Sequence, residues 1–155
     1  MTDASVTPSL SADEAEIADV MDRLFSAFVS GPDAEAQLAG LLDLFLPEAV
    51  IVRTCGLEPA VYDVDGFIAP RRALLTSGAV HDFHEWEESG LTQVFGDIAH
   101  HFCSYAKAWV ADGASLSGRG MKTLQLVRTA AGWRISAMAW DDQRDGLVVP
   151  PDATD

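Results

Sequence analysis

Hydrophobic and polar residues follow two different periods in the two parts of this chain. From Ile17 to Phe28 apolar side chains recur every three or four residues, a spacing that predicts an amphipathic helix. From residue 80 to residue 142 apolar and polar side chains alternate instead, and a period of two predicts strands. Gly96-Asp97 interrupts this alternation as a turn. The whole pattern predicts three helices with one short strand among them, followed by four long antiparallel strands.

The longest alternating stretch, residues 117–142, predicts two strands joined by a turn at Ala130 and Ala131. One face of this hairpin is apolar and is predicted to be core. The other face, which includes Met138 and Trp140, mixes apolar and polar side chains, and such a face usually contacts a ligand or another subunit. The predicted register pairs Val127 with Arg134, Leu126 with Ile135 and Leu124 with Ala137.

Helices and strands that are segregated along the chain predict the α+β class rather than the α/β class. We expect three N-terminal helices packed in a strongly curved, mainly antiparallel sheet, which forms a cone-like α+β barrel with a pocket. The 155 residues, 48% of them hydrophobic, are enough to build one core. The expected organisation is a single domain over residues 11–146, between flexible tails at residues 1–10 and 147–155.

The acidic composition narrows the classes of partner. The chain carries 24 acidic and 10 basic side chains, a net charge of −14, and we exclude nucleic acid because its phosphates would be repelled. No apolar run approaches the ~20 residues that span a membrane, and the first residues lack the basic and apolar regions of a signal peptide. Cys55 and Cys103 match no metal motif and are expected to be reduced thiols in a cytoplasmic protein.

Histidines beside carboxylates form the first group of candidate site residues. His84 next to Glu85 suits general base chemistry near neutral pH. His81 and His84 lie three residues apart and point to opposite faces of a regular strand, so they could share a metal ion only if the strand bends there. His100 is expected either to face the cavity or to be a hydrogen-bonded residue at the sheet rim. The sequence predicts neither a metal nor a cofactor.

The two strands joined at Gly96-Asp97 carry the second group. A two-residue turn there places Tyr105 and Lys107 on the same face of the strand. This face either lines the pocket or forms the dimer interface, and the dimer interface is favoured. Glu85 and Glu87 are predicted on the opposite face, where a carboxylate is either a buried base or solvated on an edge strand. The predicted partners are His100 with Gln93, Tyr105 with Glu88, Glu85 with Ala108 and Glu87 with Ala106.

The remaining candidates lie at strand ends or on the first helix. Arg53 ends the short first strand and is expected either to grip a ligand carboxylate in bidentate fashion or to pair with an acidic residue of the chain. Trp140 is expected to wall the pocket, with Asp141 beside it as an acid or base. The candidate catalytic residues are therefore His84, Glu85, His100, Tyr105 and Asp141, and the candidate substrate-binding residues are Arg53, Phe28, Trp140, Met138 and Arg119.

Four segments of the chain resemble the nuclear transport factor 2-like superfamily, and within it the bacterial SnoaL-like branch. They are FLPEAVIV at residues 45–52, DGFIAPRR at 65–72, FGDIAHHF at 95–102 and LVRTAAGWRISAMAWDD at 126–142. The resemblance covers residues 12–146 and implies the cone-like fold. Together with the mixed hairpin face, it predicts a homodimer formed through the sheet. The implied function is binding of a small apolar organic molecule by a cofactor-free isomerase, cyclase, dehydratase or hydrolase working by acid–base catalysis, or by a non-catalytic ligand-binding or dimerisation module.

Overall fold

The computed structural model describes residues 11–151, so the predicted tail at residues 1–10 and the last part of the C-terminal tail, residues 152–155, lie outside it. Helical segments and strands remain segregated along most of the chain. The helical segments are α1 (Ala12–Ser26), α2 (Ala34–Ala39), a 3-10 turn (Gly40–Asp43) and α3 (Val64–Thr76). The strands are β1 (Phe45–Arg53), β2 (Ala60–Tyr62), β3 (His81–Phe95), β4 (Ile98–Ala111), β5 (Ala114–Thr129) and β6 (Gly132–Asp142).

All six strands join one curved sheet in the order β2-β1-β6-β5-β4-β3. β1 runs parallel to β6, and every other neighbouring pair is antiparallel. The helices cover the inner face of this sheet, with α1 against β3 and α3 against β1. The predicted α+β class and the three helices packed in a mainly antiparallel sheet are confirmed. β2 is an addition to the one short strand and four long strands that the sequence predicted.

Capping side chains explain where the two longer helices begin. The hydroxyl of Ser11 accepts a hydrogen bond of 3.1 Å from the backbone N–H of Glu14, which satisfies one free donor at the start of α1. At the start of α3, Oδ1 of Asp63 accepts a 2.7 Å bond from the N–H of Gly66. α1 buries the stripe that its periodicity predicts, and α3 buries its face around Phe67 against the sheet.

The hairpin of β5 and β6 has the predicted pairing near its turn and a different one beyond it. Val127 pairs with Arg134 as predicted, but Leu124 pairs with Met138, so the predicted Leu124–Ala137 pair is wrong. One extra residue of β6, Ser136, interrupts the ladder and reverses the direction of every later side chain. Met138 is consequently a core residue, 2% exposed, instead of a member of the mixed face.

A second irregularity changes the register of β3 against β4. His100 pairs with Gln93 as predicted, but the ladder shifts between Glu87 and Ser89. Beyond that shift the predicted partners of Tyr105, Glu85 and Glu87 are wrong. The observed pairs are Glu87 with Tyr105 and Glu85 with Lys107. Glu85 and Glu87 therefore share the inner face with Tyr105, because side chains of directly paired residues lie on the same side of a sheet.

The two faces of the sheet differ in what covers them. Tyr105 is 1% exposed on the inner face, which corrects the preference for a dimer face there. On the outer face of β3 and β4 several large apolar side chains are exposed, among them Trp86, Leu91, Phe95, Ile98 and Phe102. In the predicted C-terminal tail, Val149 is buried and its N–H donates to Oε1 of Gln143 at 2.9 Å. None of the helices in residues 11–151 combines the length and apolarity needed to cross a membrane.

Candidate functional site

A cavity of about 560 Å³ opens between α3 and the inner face of the sheet. Its size lies within the usual range for small-molecule sites, ~300–1,000 Å³. Most of its wall is aromatic or aliphatic, and a few charged groups converge on it. The aromatic residues are Phe28, Tyr62, Phe67, Phe83, Tyr105, Trp109 and Trp140, and the charged residues are Arg53, Arg71, Glu85, Lys107 and Lys122.

The aromatic wall is built from residues that pack on one another. Phe67 of α3 lies with its ring centroid 5.7 Å from that of Trp140 on β6 and 6.0 Å from that of Phe28, both in edge-to-face arrangements. Phe83 and Trp109, on β3 and β4, lie 5.8 Å apart. These contacts hold the rings in fixed positions, so the apolar part of the cavity is preformed.

A buried ion pair lies at the inner end of the cavity. Nζ of Lys122 is 3.2 Å from Oε1 of Glu85, and the two side chains are only 4% and 11% exposed. The ammonium also lies 4.7 Å from the ring centroid of Phe25 and 5.0 Å from that of Tyr105. The carboxylate and the ring faces together replace the water that this lysine loses on burial.

Tyr105 and Asp142 form a second polar pair beside the first. The hydroxyl of Tyr105 donates to Oδ1 of Asp142, and Nζ of Lys107 lies 3.3 Å from Oδ2. Burial raises the pKa of Tyr105 well above its usual value, and the bond to Asp142 raises it further, so the hydroxyl stays protonated. Burial opposes ionisation of Asp142, but the Tyr105 hydrogen bond and the Lys107 charge outweigh it and lower the pKa of this carboxyl.

Two arginines at the cavity differ from the lysines in having no acidic partner. The guanidinium of Arg71 lies 3.9 Å from the ring centroid of Phe67, and its Nη1 donates to the Phe67 carbonyl at 2.9 Å. Burial lowers the pKa of Arg71 to about 10, although the nearby charge of Glu85 opposes that shift. Nε of Arg53 is buried without a hydrogen-bond partner. Within residues 11–151 neither guanidinium lies within ion-pair distance of a carboxylate.

The strands explain why these groups meet. Arg53, the last residue of β1, pairs with Trp140 of β6, so both side chains point to the inner face at the same level. Arg71 lies one helical turn after Phe67 on the buried side of α3, and it therefore reaches the same cavity. Lys122, Leu124 and Leu126 are alternate residues of β5, so the Lys122 side chain points to the inner face as the two leucines do.

The structure brings half of the ten sequence-predicted site residues to this cavity. The five that line it are Phe28, Arg53, Glu85, Tyr105 and Trp140. The other five lie elsewhere, and alternation along a strand explains most of these cases: a residue directly next to an inward-facing one points outward. His84 next to Glu85 and Asp141 next to Trp140 are examples.

Each residue that lies away from the cavity has an identifiable local partner. His84 stacks on Trp86 with ring centroids 4.9 Å apart. The remaining contacts are those of His100 Nε2 with Gln93 Oε1 at 2.6 Å, Arg119 Nε with Glu88 Oε1 at 2.7 Å, Asp141 with Arg144, and Met138 with the core.

Sequence reasoning missed Arg71, Lys122 and Asp142 as site residues, and it assigned Lys107 to a face for which a dimer contact was favoured over the pocket. A signal for Lys122 existed, because it shares its parity with two core leucines, and a lysine in a core stripe needs a buried partner. A signal for Arg71 existed as well, four residues after Phe67 on a helix. The only signal for Asp142 was its position two residues after Trp140, which places both side chains on the same face of β6. The prediction that Met138 belongs to the mixed face of the hairpin hid this signal.

No protein-family model and no curated protein matches this sequence. Solved structures do match. A nuclear transport factor 2-like superfamily protein from Salmonella enterica superimposes with a TM-score of 0.68 at 15% identity, over 84% of this chain and 90% of that chain. A nuclear transport factor 2-like protein with a cystatin-like fold from Novosphingobium aromaticivorans gives 0.65 at 22% identity, over 86% and 83%.

A third similar structure is that of a candidate aromatic ring hydroxylase, also from Novosphingobium aromaticivorans. It superimposes with a TM-score of 0.69 at 18% identity, over 88% of this chain and 93% of that chain. Identities this low show the fold and leave the activity open. The chain has the nuclear transport factor 2-like fold, as the sequence resemblance implied.

Proposed function

We propose that this chain, with its nuclear transport factor 2-like fold, binds a small organic acid in the cavity and transfers a proton on it without a cofactor. The ligand class we propose is a molecule with an apolar, ring-sized body and one carboxylate. The observation that carries the proposal is the pair of cavity arginines, Arg53 and Arg71, neither of which lies within ion-pair distance of a carboxylate in residues 11–151. The sequence predicted an apolar ligand, and the two arginines add the expectation that this ligand carries an anionic group.

Four basic residues in residues 11–151 form no ion pair, and of these four only Arg53 and Arg71 line the cavity. The chain has 24 acidic and only 10 basic side chains, so carboxylates are abundant. Six of the ten basic residues do form ion pairs, namely Arg72, Lys107, Arg119, Lys122, Arg128 and Arg144. A cation that loses water without gaining an anion is destabilising. A ligand carboxylate would supply the missing anion, with the guanidinium groups as bidentate donors.

The rest of the cavity suits the apolar part of such a ligand. Phe67 and Trp140 flank the Arg71 guanidinium, whose centre lies 3.9 Å and 5.1 Å from their ring centroids. When the arginines bind the ligand carboxylate, a ring next to that carboxylate would therefore contact the aromatic wall. This juxtaposition of an anion site and an aromatic wall favours arylcarboxylates and arylacetates over short aliphatic acids.

Glu85 is the group we propose for proton transfer. It is a buried carboxylate on the cavity wall, and Lys122 is held against it. Glu85 would accept the proton when a C–H bond next to a carbonyl group breaks, and the electron pair would move into the resulting enolate. Lys122 would stabilise that negative charge. In a ligand that carries, besides its carboxylate, a ketone with a C=C bond at the β,γ position, return of the proton to the γ-carbon would shift the double bond and complete an isomerisation.

Binding is tested by calorimetry and thermal shift with phenylacetate and its uncharged analogue, phenylacetamide. We expect the acid to bind and to raise the melting temperature, and the amide to bind at least about tenfold more weakly, since it lacks the charge for the arginines. Arg71→Leu and Arg53→Leu should each reduce acid binding. Arg23→Leu, which removes an exposed charge on α1, is the matched control. Equal binding of acid and amide would remove the basis of the proposed ligand class.

Proton transfer is tested separately by NMR detection of deuterium exchange from solvent into the carbon next to the carboxylate or carbonyl of bound ligands. Glu85→Gln keeps the size of the side chain and removes the base, so we expect exchange to stop while the arginine-dependent binding persists. Binding without exchange in the unaltered protein would support the alternative, a non-catalytic ligand-binding module.

Two further parts of the proposal concern assembly and location. The exposed apolar side chains on the outer face of β3 and β4 support a homodimer formed through the sheet. Cys55 and Cys103 are both free thiols, which supports a reducing compartment such as the cytoplasm.

A further inference from the structure

A second cluster of reactive side chains lies between β3 and β4, away from the cavity. Ligand atoms of Glu87, His101 and Cys103 all lie within 4.8 Å of one another: a carboxylate oxygen, a ring nitrogen and a sulfur. None of the three residues lines the cavity. We propose that Glu87, His101 and Cys103 bind one zinc ion, or a divalent transition ion of similar preference. This site is independent of the proposed function.

The backbone brings the three ligands to one face. His101 and Cys103 are alternate residues of β4, so both point inward. Their partners on β3 are Thr92 and Gly90. Glu87 and Gly90 lie on opposite sides of the register shift in β3. They are an odd number of residues apart, but the shift turns the Glu87 side chain to the inner face that His101 and Cys103 share. A regular strand would have pointed the carboxylate away from the histidine.

The donor set decides which ion fits. Zinc binds thiolate, imidazole and carboxylate at ~2.0–2.3 Å, which places the ligand atoms of a tetrahedral site about 3.5 Å apart. The present spacing needs side-chain adjustment of roughly 1 Å to reach that geometry. Calcium and magnesium prefer oxygen ligands throughout and match this set poorly. Without an ion, Nε2 of His101 contacts Oε1 of Glu87 directly, and a metal would take the place of the proton between them.

Two neighbours support the ligands as a metal site requires. Oγ1 of Thr92 lies 2.7 Å from Nδ1 of His101. With a metal on Nε2, Nδ1 carries the proton and donates it to this hydroxyl, which fixes the tautomer and the ring orientation. Gly90 provides the space: a Cβ there would lie 2.7 Å and 2.8 Å from two ring atoms of His101 and would also collide with the Glu87 carboxylate.

Burial gives the site a protected interior and one open side. Cys103 is 0% and His101 5% exposed, whereas the Glu87 side chain is 28% exposed and Gly90 is exposed. A hydrated ion can therefore reach the site along the edge of β3 and bind the Glu87 carboxylate first. His101 and Cys103 would then replace water molecules of the ion. Water would keep the fourth position.

The test is a titration of chelator-treated protein with Co²⁺, followed by competition with Zn²⁺. We expect one equivalent of Co²⁺ per chain and a near-ultraviolet thiolate-to-cobalt charge-transfer band, which Zn²⁺ abolishes. Cys103→Ser should lose the band, while Cys55→Ser, the matched thiol control, should retain it. His101→Gln should weaken binding strongly, and His100→Gln, on the outer face, should not. Thr92→Val keeps all three ligands and should weaken zinc binding by about 10–100-fold.

Circular dichroism and melting of each apo variant separate loss of metal binding from loss of the fold. Three results would overturn the proposal: no charge-transfer band in the unaltered protein at saturating Co²⁺, a band that survives Cys103→Ser, or a band that Cys55→Ser removes. Thr92→Val serves as the deciding variant if Cys103→Ser does not fold, because unchanged zinc affinity in a folded Thr92→Val protein would also contradict the proposed site.

Discussion

The inner and outer faces of the same sheet both combine aromatic rings with charges, yet they differ in how those charges are satisfied. On the outer face, Arg119 and Glu88 pair at 2.7 Å with side chains 38% and 34% exposed. On the inner face, Lys122 and Glu85 pair at 3.2 Å with almost no exposure. Water supports the outer pair, whereas the inner pair depends on its partners alone. Burial, more than composition, therefore distinguishes the face that lines the cavity from the face that is exposed.

The largest expected effect comes from breaking the inner pair. Lys122→Ala leaves Glu85 as an uncompensated buried charge, and we expect a loss of about 3–5 kcal/mol in the free energy of unfolding, measured with urea. Arg119→Ala on the outer face should cost below ~1 kcal/mol. The double variant Lys122→Met with Glu85→Gln should recover most of the lost stability. Similar losses for the inner and outer single variants would contradict the contrast between the faces.

The next effect concerns the outer face. Phe102→Asp places a charge in the exposed apolar patch, 46% exposed at this residue. We expect light scattering to show a dimer for the unaltered chain and a monomer for the variant, with a loss of roughly 2 kcal/mol or more in association energy if the residue is a central contact. Val61→Asp, which changes a more exposed apolar residue on β2 (67%), should leave the dimer intact. A monomeric unaltered chain at micromolar concentration would refute the homodimer.

A smaller effect tests how closely the inner face is packed. A Cβ at residue 120 would lie 2.5 Å from the carbonyl oxygen of Asp141 and 2.5 Å from Cζ of Tyr105. Gly120→Ala should therefore displace the Tyr105 hydroxyl from Asp142 and destabilise the protein by about 1–3 kcal/mol in urea unfolding. Gly40→Ala meets no atom within 4 Å and should be neutral or slightly stabilising. Equal behaviour of the two variants would show that the hydroxyl has room to move.

The smallest expected effect is on the pH dependence of stability. The pKa of Asp142 is lowered in the folded protein, so the folded state binds fewer protons at this group than the unfolded state does. Its contribution is complete above the unfolded value of about 3.9 and is lost as the pH falls from there through the lower folded value. Asp142→Asn should flatten the acid limb of a urea-unfolding series from pH 6 to pH 3. Asp65→Asn, which removes an exposed carboxylate outside the cavity, is the matched control.

The sequence by itself determined the α+β class and the order of every element except β2. Amphipathic periodicity from Ile17 to Phe28 gave α1, and period-two alternation gave the four long strands. The turns at Gly96-Asp97 and at Ala130 and Ala131 set the local registers, so pairs close to them, such as His100 with Gln93, came out as predicted. These features depend on neighbours in the chain, where backbone geometry and side-chain polarity act directly.

Only the tertiary structure decided which side chains share the cavity. The extra residues at Ser136 and between Glu87 and Ser89 leave the alternation on either side intact, so no pattern in one strand reveals them. Their places follow from the bending of the sheet around the helices. The extra residues turned the Met138 side chain into the core and placed Glu85 beside Lys122. The packing of α3 against the sheet then brought Arg71 to the cavity. Pairing between distant strands and the loss of water are properties of the assembled fold, and they gave this acidic chain a cavity with unpaired positive charge.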